Sequence, residues 1–282
     1  MDFSLTEEQQ LILDTTRAFV TNELYPHERE VEETGALRPE LQAELKAKAI
    51  EAGLYAANMP AEAGAGLDTV TWVLYEKELG KANYALHYLT VGRPSNILMA
   101  CDAAQRERYL LPTVRGELTE CLAMTEPGAG SDLRGMKTSA VEKGGDFVIN
   151  GTKHFISHAD HADYVILFAA TGKEPSSRGP RKRITAFLVD RGTPGFTIRP
   201  GYRNVSHRGY NNSILEFNDC RVPRSAVLGE MHRGFEVANA WLGATRLQVA
   251  ACCLNAERAL ELSSSGPWTG SSSASRSASS RG

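Results

Sequence analysis

Two short stretches carry the side chains from which chemistry could be built. The first, "CLAMTEPGAGSDLRGMKT" at 121–138, sets Pro127, Gly128 and Gly130 between the hydroxyls of Thr125 and Ser131. Such a loop lets backbone approach a flat ligand closely and supplies hydroxyl donors beside it. In the second, "NGTKHFISHADHADYVILFA" from Asn150, the run Phe155, Ile156, Ser157 offers an aromatic face, an apolar neighbour and another hydroxyl. The Gly-x-Gly of the first stretch invites a dinucleotide reading, but that fingerprint needs a strand before it and a helix after it, and "MKTSAVEKGG" has strand character. A nicotinamide site is therefore not expected, and a plain turn between domains is the alternative. His154, His158 and His161 have a spacing that would present a metal face on a helix. The alternating "YVILFA" beside them argues for a strand, so no metal site is expected. Glu126 and Asp132 could pair as acid and base, yet a carboxylate in such a loop commonly accepts from the loop's own amides, and neither is taken as a base.

The elements that must hold these stretches follow from periodicity. Up to about residue 120 the punctuation is helical. "SLTE" offers Ser4 and Glu7 as a capping box before Leu11, Ile12, Phe19 and Val20, and "PELQAELKAKAIEAG" runs from Pro39 to Gly53 with Leu41, Leu45 and Ala49 on one face. "LDTVTWVLYEKELGKA" and "AAQRERYLLPTVRGEL" read as further helices, the latter ended by Pro112. From about residue 135 the period becomes alternating: "KTSAVEKGGDFVINGTK" is strand, Gly-Gly turn, strand, and "ADYVILFAA", "RITAFLVD", "GFTIRP" and "NSILEFNDCRVP" follow as an antiparallel set. After Gly234 the helical period returns through Val237, Leu242, Leu247, Ala250 and Leu254 to about Leu262.

Composition narrows the function class. With 282 residues, 42% hydrophobic, 23% charged and a net charge of −3, the chain can bury sizeable cores but has no basic field for a nucleic acid or an anionic membrane. The "RKR" at Arg181–Arg183 reads as a solvated hairpin loop. Five cysteines without C-x-x-C spacing indicate small core residues in a reducing compartment. The acidic "MDFSLTEEQQ" lacks the basic residues a signal or transit peptide needs, and no apolar run approaches the ~20 residues of a membrane span, so a cytoplasmic protein is expected.

Taken together, "AMTEPGAGSD", "INGTKHFIS", "FNDCRVPRSAVLG" and "GATRLQVAA" resemble the acyl-CoA dehydrogenase family in order and spacing, over residues 1 to about 262. The resemblance implies an α+β fold: an N-terminal helical bundle domain (1–120), a middle antiparallel β-barrel domain (121–230) and the first helix of a C-terminal helical domain (231–262). It implies FAD as cofactor. Leu122, Met124 and Thr125 would face the pyrimidine side of the flavin, Ser157 would reach toward N5, Phe155 would pack on the ring, and Gly130 and Ile156 would complete the enclosure. Ser131 would sit between flavin and the pantetheine arm of an acyl-CoA substrate, and Arg246 near the CoA arm. Gly243 departs from an aspartate that often contacts CoA. The implied reaction is α,β-desaturation of an acyl-CoA thioester. The implied partner of the full-length relative is an electron-transfer flavoprotein, and the implied assembly is a homo-oligomer. An oxidase or monooxygenase of the same fold and a non-catalytic fragment are the alternatives.

Desaturation needs a carboxylate over the α carbon. In most of the family that glutamate lies farther along the C-terminal helices, and in a minority at the position that is Thr245 here, so no catalytic residue is assigned and inactivity of these residues alone is expected. The Ser/Gly/Arg segment at 263–282 has a specific reading. "GSSSASRSASSRG", from Gly270, can be encoded so that the frame beginning at its third base gives "KQFGQPIGKFQG". The family continues with a segment like "R-x-Q-F-G-x-P-I-x-x-F-Q", so a frame-shifted translation from about residue 263 is expected, with a disordered linker as the alternative.

Overall fold

A computed structural model of the chain describes residues 4–176 and 179–254. Helix α1 (Glu7–Phe19) starts at Thr6. The Thr6 hydroxyl accepts from the Gln9 amide at 3.2 Å and the Gln9 side chain accepts from the Thr6 amide at 3.1 Å. The capping box thus lies two residues beyond the expected Ser4–Glu7 pair. This start puts both Glu7 and Glu8 in the first turn, where the helix dipole favours negative charge. A π turn (Val20–Leu24) and a 3-10 turn (Tyr25–His27) lead into α2 (Glu28–Thr34). Helix α3 (Pro39–Glu51) buries Leu41, Leu45 and Ala49 and stops before Gly53, as its sequence indicates. Helices α4 (Thr69–Leu79) and α5 (Tyr84–Thr90) are capped by the side chains of Asp68 and Asn83. Leu24, Leu45, Leu79 and Leu86 in the core between these helices have no exposed surface, and each stabilises the fold by about 1.5–3 kcal/mol.

Pro112 does not end the next helix. Helix α6 (Ala103–Gln105) widens into a π turn (Arg106–Leu110), and Pro112 then sits in the first turn of α7 (Leu111–Val114), where no amide donor is required of it.

The strands are β1 (Glu120–Ala123), β2 (Ser139–Lys143), β3 (Asp146–Ser157), β4 (Tyr164–Glu174), β5 (Arg181–Asp190), β6 (Phe196–Pro200), β7 (Asn212–Pro223) and β8 (Val227–Leu228). Gly144 and Gly145, at φ 63° and 87°, form the β2–β3 turn that only left-handed residues allow. The sheet order is β6-β7-β3-β2-β4-β5-β8, with β1 beside β4. This corrects the expected closed antiparallel barrel. The sheet is open, with edges at β6 and β8, and it is mixed, because β1 and one residue pair of β2 run parallel to β4. It is nonetheless strongly curled. The rings of Phe147 on β3 and Phe187 on β5 lie 5.2 Å apart, whereas three flat strand spacings would separate them by about 14 Å. Curling brings both edges around one core, and the shortness of β6 and β8 leaves too little backbone at those edges for a closing ladder. The "RKR" stretch is also not a loop: Arg181–Arg183 opens β5, and Glu174 across the ladder takes both Arg181 and Arg183 as ion-pair partners.

Helix α8 (Gly234–Cys253) bridges sheet and helices. A Cβ on Gly234 would stand 2.8 Å from the Ala186 amide of β5, and one on Gly80 would stand 2.7 Å from Cys252, so glycine is needed at each crossing. Ala238, Gln248 and Ala251 of α8 are buried, while Leu247, Val249 and Leu254 are exposed. The expected continuation to Leu262 and the segment 263–282 lie outside the described residues. No helix among the described residues is long and apolar enough to cross a membrane.

Candidate functional site

The two stretches singled out by residue type come together through an irregularity in β3. Against β7, Lys153 pairs with Leu215 and Ile156 with Ser213, so three steps along β3 match two along β7. The extra residue makes a bulge, which re-aims side chains that strict alternation would otherwise point inward or outward. Phe155 takes φ 55° there, leaving its ring 49% exposed and stacked on Tyr202 at a centroid distance of 4.4 Å. The freed His154 amide donates to the Thr125 carbonyl at 3.0 Å, tying the bulge to the loop after β1.

A buried ion pair locks the same junction. Lys153, wholly buried, donates through Nζ to the Met124 carbonyl and to Glu126 Oε1, both at 2.9 Å. Glu126 also accepts from the amides of Lys137 at 2.5 Å and Thr138 at 3.0 Å. Burial alone would push the Glu126 carboxyl up, but the Lys153 charge and these hydrogen bonds outweigh it and hold it below the usual carboxylate range. Burial, partly offset by Glu126, brings Lys153 down to about 8. Reciprocal backbone bonds between Glu126 and Ala129 close the Pro127–Gly128 turn, and beside Gly128 and Gly130 lies open space within 4 Å of where a side chain would begin.

The predicted residues fall in different places. Leu122, Thr125 and Ser157 are half-buried, Met124 is buried, and Gly130 and Ser131 are exposed on the loop. The Ile156 side chain is 2% exposed within the core of the sheet, because the residue after the bulge returns to the inward face. Only its backbone remains available at the site. Arg246 is exposed on α8 and Thr245 is half-buried beside it. Among the described residues no hydrogen bond or ion pair joins Arg246 to the loop.

Sequence reasoning missed Lys153, Asn212 and Tyr210. Lys153 had a signal, since it continues the inward positions Phe147, Ile149 and Gly151 and so needs a buried negative partner. Asn212 Nδ2 donates to Ser157 Oγ at 3.3 Å. The three histidines diverge rather than converge. His158 Nδ1 meets the Tyr210 hydroxyl at 2.7 Å and His158 Nε2 the Glu120 carbonyl at 2.8 Å, while His154 turns toward Tyr202 and His161 toward Asp160. A cleft lined by Tyr88, Arg93, Ser95, Glu120, Leu122 and His158 adjoins this network.

The chain as a whole has counterparts among known proteins. The family model described as "Acyl-CoA dehydrogenase, N-terminal domain" matches residues 6–117, and "Acyl-CoA dehydrogenase, middle domain" matches residues 121–220. The chain is 34% identical over 270 residues to "Probable acyl-CoA dehydrogenase YngJ" of Bacillus subtilis (strain 168), covering 93% of this chain and 69% of that protein. Among solved structures, butyryl-CoA dehydrogenase from Megasphaera elsdenii superposes with a TM-score of 0.77 at 32% identity, covering 93% of this chain and 69% of that one. A glutaryl-CoA dehydrogenase from Mycobacterium smegmatis, solved in complex with FADH2, gives a TM-score of 0.76 at 27% identity, with coverage of 90% and 63%. The chain thus spans between 63% and 69% of the length of these relatives. On this breadth of agreement, the chain belongs to the acyl-CoA dehydrogenase family of FAD-dependent oxidoreductases.

Proposed function

We propose that the junction of the Thr125–Ser131 loop with the β3 bulge is the flavin-facing wall of a site for α,β-desaturation of an acyl-CoA thioester. The observation that supports it most is the bond from the His154 amide to the Thr125 carbonyl, which sets the two candidate stretches side by side. The residues present suit FAD. Phe155 offers a half-exposed ring, Ser157 keeps its O–H to donate because Asn212 supplies the hydrogen bond to its oxygen, and the turn at Gly128 and Gly130 is unobstructed.

FAD, when bound, accepts the two electrons and the β hydrogen of the acyl group. The chain's residues hold and shield. Leu122, Met124 and Thr125 present backbone and hydroxyl groups to the pyrimidine edge, where fixed donors stabilise developing negative charge. Ser157 would reach toward N5, and Phe155 would keep water from the ring. Ser131 and Arg246 are assigned to the pantetheine and CoA arms. The backbone of Ile156 joins its neighbours at the ring edge.

Glu126 does not serve as the base, since Lys153 and two amides occupy it, and Thr245 has no carboxyl. We infer that these 282 residues bind flavin and thioester without desaturating it. We infer further that a full-length relative passes its electrons to an electron-transfer flavoprotein and assembles as a homo-oligomer, and that this chain works in the cytoplasm. Gel filtration of the purified chain after incubation with FAD tests the site. Flavin absorbance should travel with protein, and Phe155→Ala should weaken retention about tenfold, the scale of one lost aromatic contact. Dithionite should bleach the bound flavin and an acyl-CoA should not. Flavin eluting free of wild-type protein refutes the site; bleaching by acyl-CoA refutes the inferred inactivity.

A further inference from the structure

The cleft between the helices and β1, about 90 Å³ in volume, collects polar groups that the fold leaves without partners. Lys46 of α3 and Glu120 of β1 both line it, and among the described residues no ion pair joins them. Lys46 Nζ lies over the ring of Tyr55, 5.5 Å from its centroid, and makes no other polar contact among those residues. The Ser95 amide donates to one Glu120 oxygen at 2.6 Å, and no second described residue donates to that carboxylate. Tyr55 also lines the cleft, and its hydroxyl, like the buried Oγ of Ser95, makes no hydrogen bond among the described residues. Arg93, the other cation of the cleft, is already taken by Glu76 at 2.8 Å. Burial lowers the pKa of Lys46 and raises that of Glu120, as expected of charges in a poorly solvated space without a close partner. Leu122 and His158 complete the lining. The cleft therefore begins at the flavin-facing wall, since Leu122 is part of that wall and His158 follows Ser157.

We propose that this cleft receives the distal end of the substrate's acyl group, and that this end is short and carries a hydroxyl. The proposal rests on the site reading given above. Hydride transfer requires the β carbon beside N5, which that reading sets next to Ser157, and the CoA arm leaves past Ser131. The rest of the acyl group then starts at His158 and Leu122, the end of the wall that opens into the cleft. A cavity of about 150 Å³ holds benzene, so this smaller one has room for roughly four heavy atoms. The lining selects the chemistry of those atoms. A carboxylate there would face Glu120, an ammonium would face Lys46, and a plain alkyl end would desolvate both charges and pair neither. A hydroxyl accepts from Lys46 and donates to Glu120, satisfying both at once.

Calorimetric titration of the FAD-loaded protein with two thioesters of equal size, 6-hydroxyhexanoyl-CoA and heptanoyl-CoA, is the test. The hydroxyl compound should bind about tenfold more tightly, the scale of one hydrogen bond to a charged group. Adipyl-CoA, which puts a carboxylate in the same place, should bind more weakly than 6-hydroxyhexanoyl-CoA. Lys46→Met keeps the length of the side chain and removes its charge, and it should erase the preference for the hydroxyl. Equal or reversed affinities in the wild type, tighter binding of adipyl-CoA, or a preference that survives Lys46→Met overturns the proposal. The wild-type comparison decides by itself where the variant fails to fold. Wild-type protein that retains no flavin removes the site reading and this proposal with it. Retained flavin with no preference among the thioesters removes this proposal alone.

Discussion

Glu126 has three donors pointed at its carboxylate, one of them the buried Lys153 cation, so its charge is built into the fold. Its folded pKa lies below the unfolded value of about 4.3. The unfolded chain therefore takes up the proton first. The stabilisation is complete above that unfolded value and is lost as pH falls through the folded one. Chemical denaturation at stepped pH should show stability declining below about pH 4.3, with a shallower decline in Glu126→Gln. That variant should also lose about 3–5 kcal/mol at neutral pH, because Lys153 is left buried without its partner. A structural carboxylate in this loop was legible from its neighbours in sequence. Its cation was not, since Lys153 reaches it only through the pairing of β3 with the loop after β1.

At the scale of the element, β3 owes its shape to two irregular positions. Gly151 sits at φ 150° where the register against β7 first slips, and a Cβ there would lie 2.6 Å from Thr138 Cα. Gly151→Ala should cost about 1–3 kcal/mol in urea denaturation and should reduce flavin retention, since moving β3 away from Thr138 also moves the bulge that meets Thr125. Alternating side chains made β3 readable as a strand and its Gly-Gly turn readable as a hairpin. The bulge at Phe155 was unreadable, because an extra residue is defined only against a partner strand. For the same reason the burial of the Ile156 side chain, where alternation returns after the bulge, was also unreadable.

Over the whole molecule, helices and sheet are joined beneath α8. Arg93 and Glu76, with side chains 3% and 0% exposed, pair at 2.8 Å, and Cys252 Sγ on α8 lies 3.4 Å from Glu76 Oε2. Burial by itself would lower the Arg93 pKa, but the facing carboxylate holds it raised. Glu76→Gln strands a buried guanidinium and should destabilise the fold by about 3–5 kcal/mol. It should also loosen the end of α8. Burial pushes the Cys252 thiol up to about 12 and makes it unreactive, so mapped alkylation of Cys252 should accelerate in the variant while that of exposed Cys253 stays unchanged.

Periodicity and punctuation by themselves determined the order of helices, strands and long helix, because local backbone preference and the spacing of apolar residues act over a few neighbours. The four separated motifs determined the family. Only the tertiary structure decided that the sheet curls without closing, that Lys153 clamps the loop, and that Asn212 donates to Ser157. Each of these depends on strand register and on contacts between residues tens of positions apart, and a chain read in one dimension encodes such contacts without displaying them.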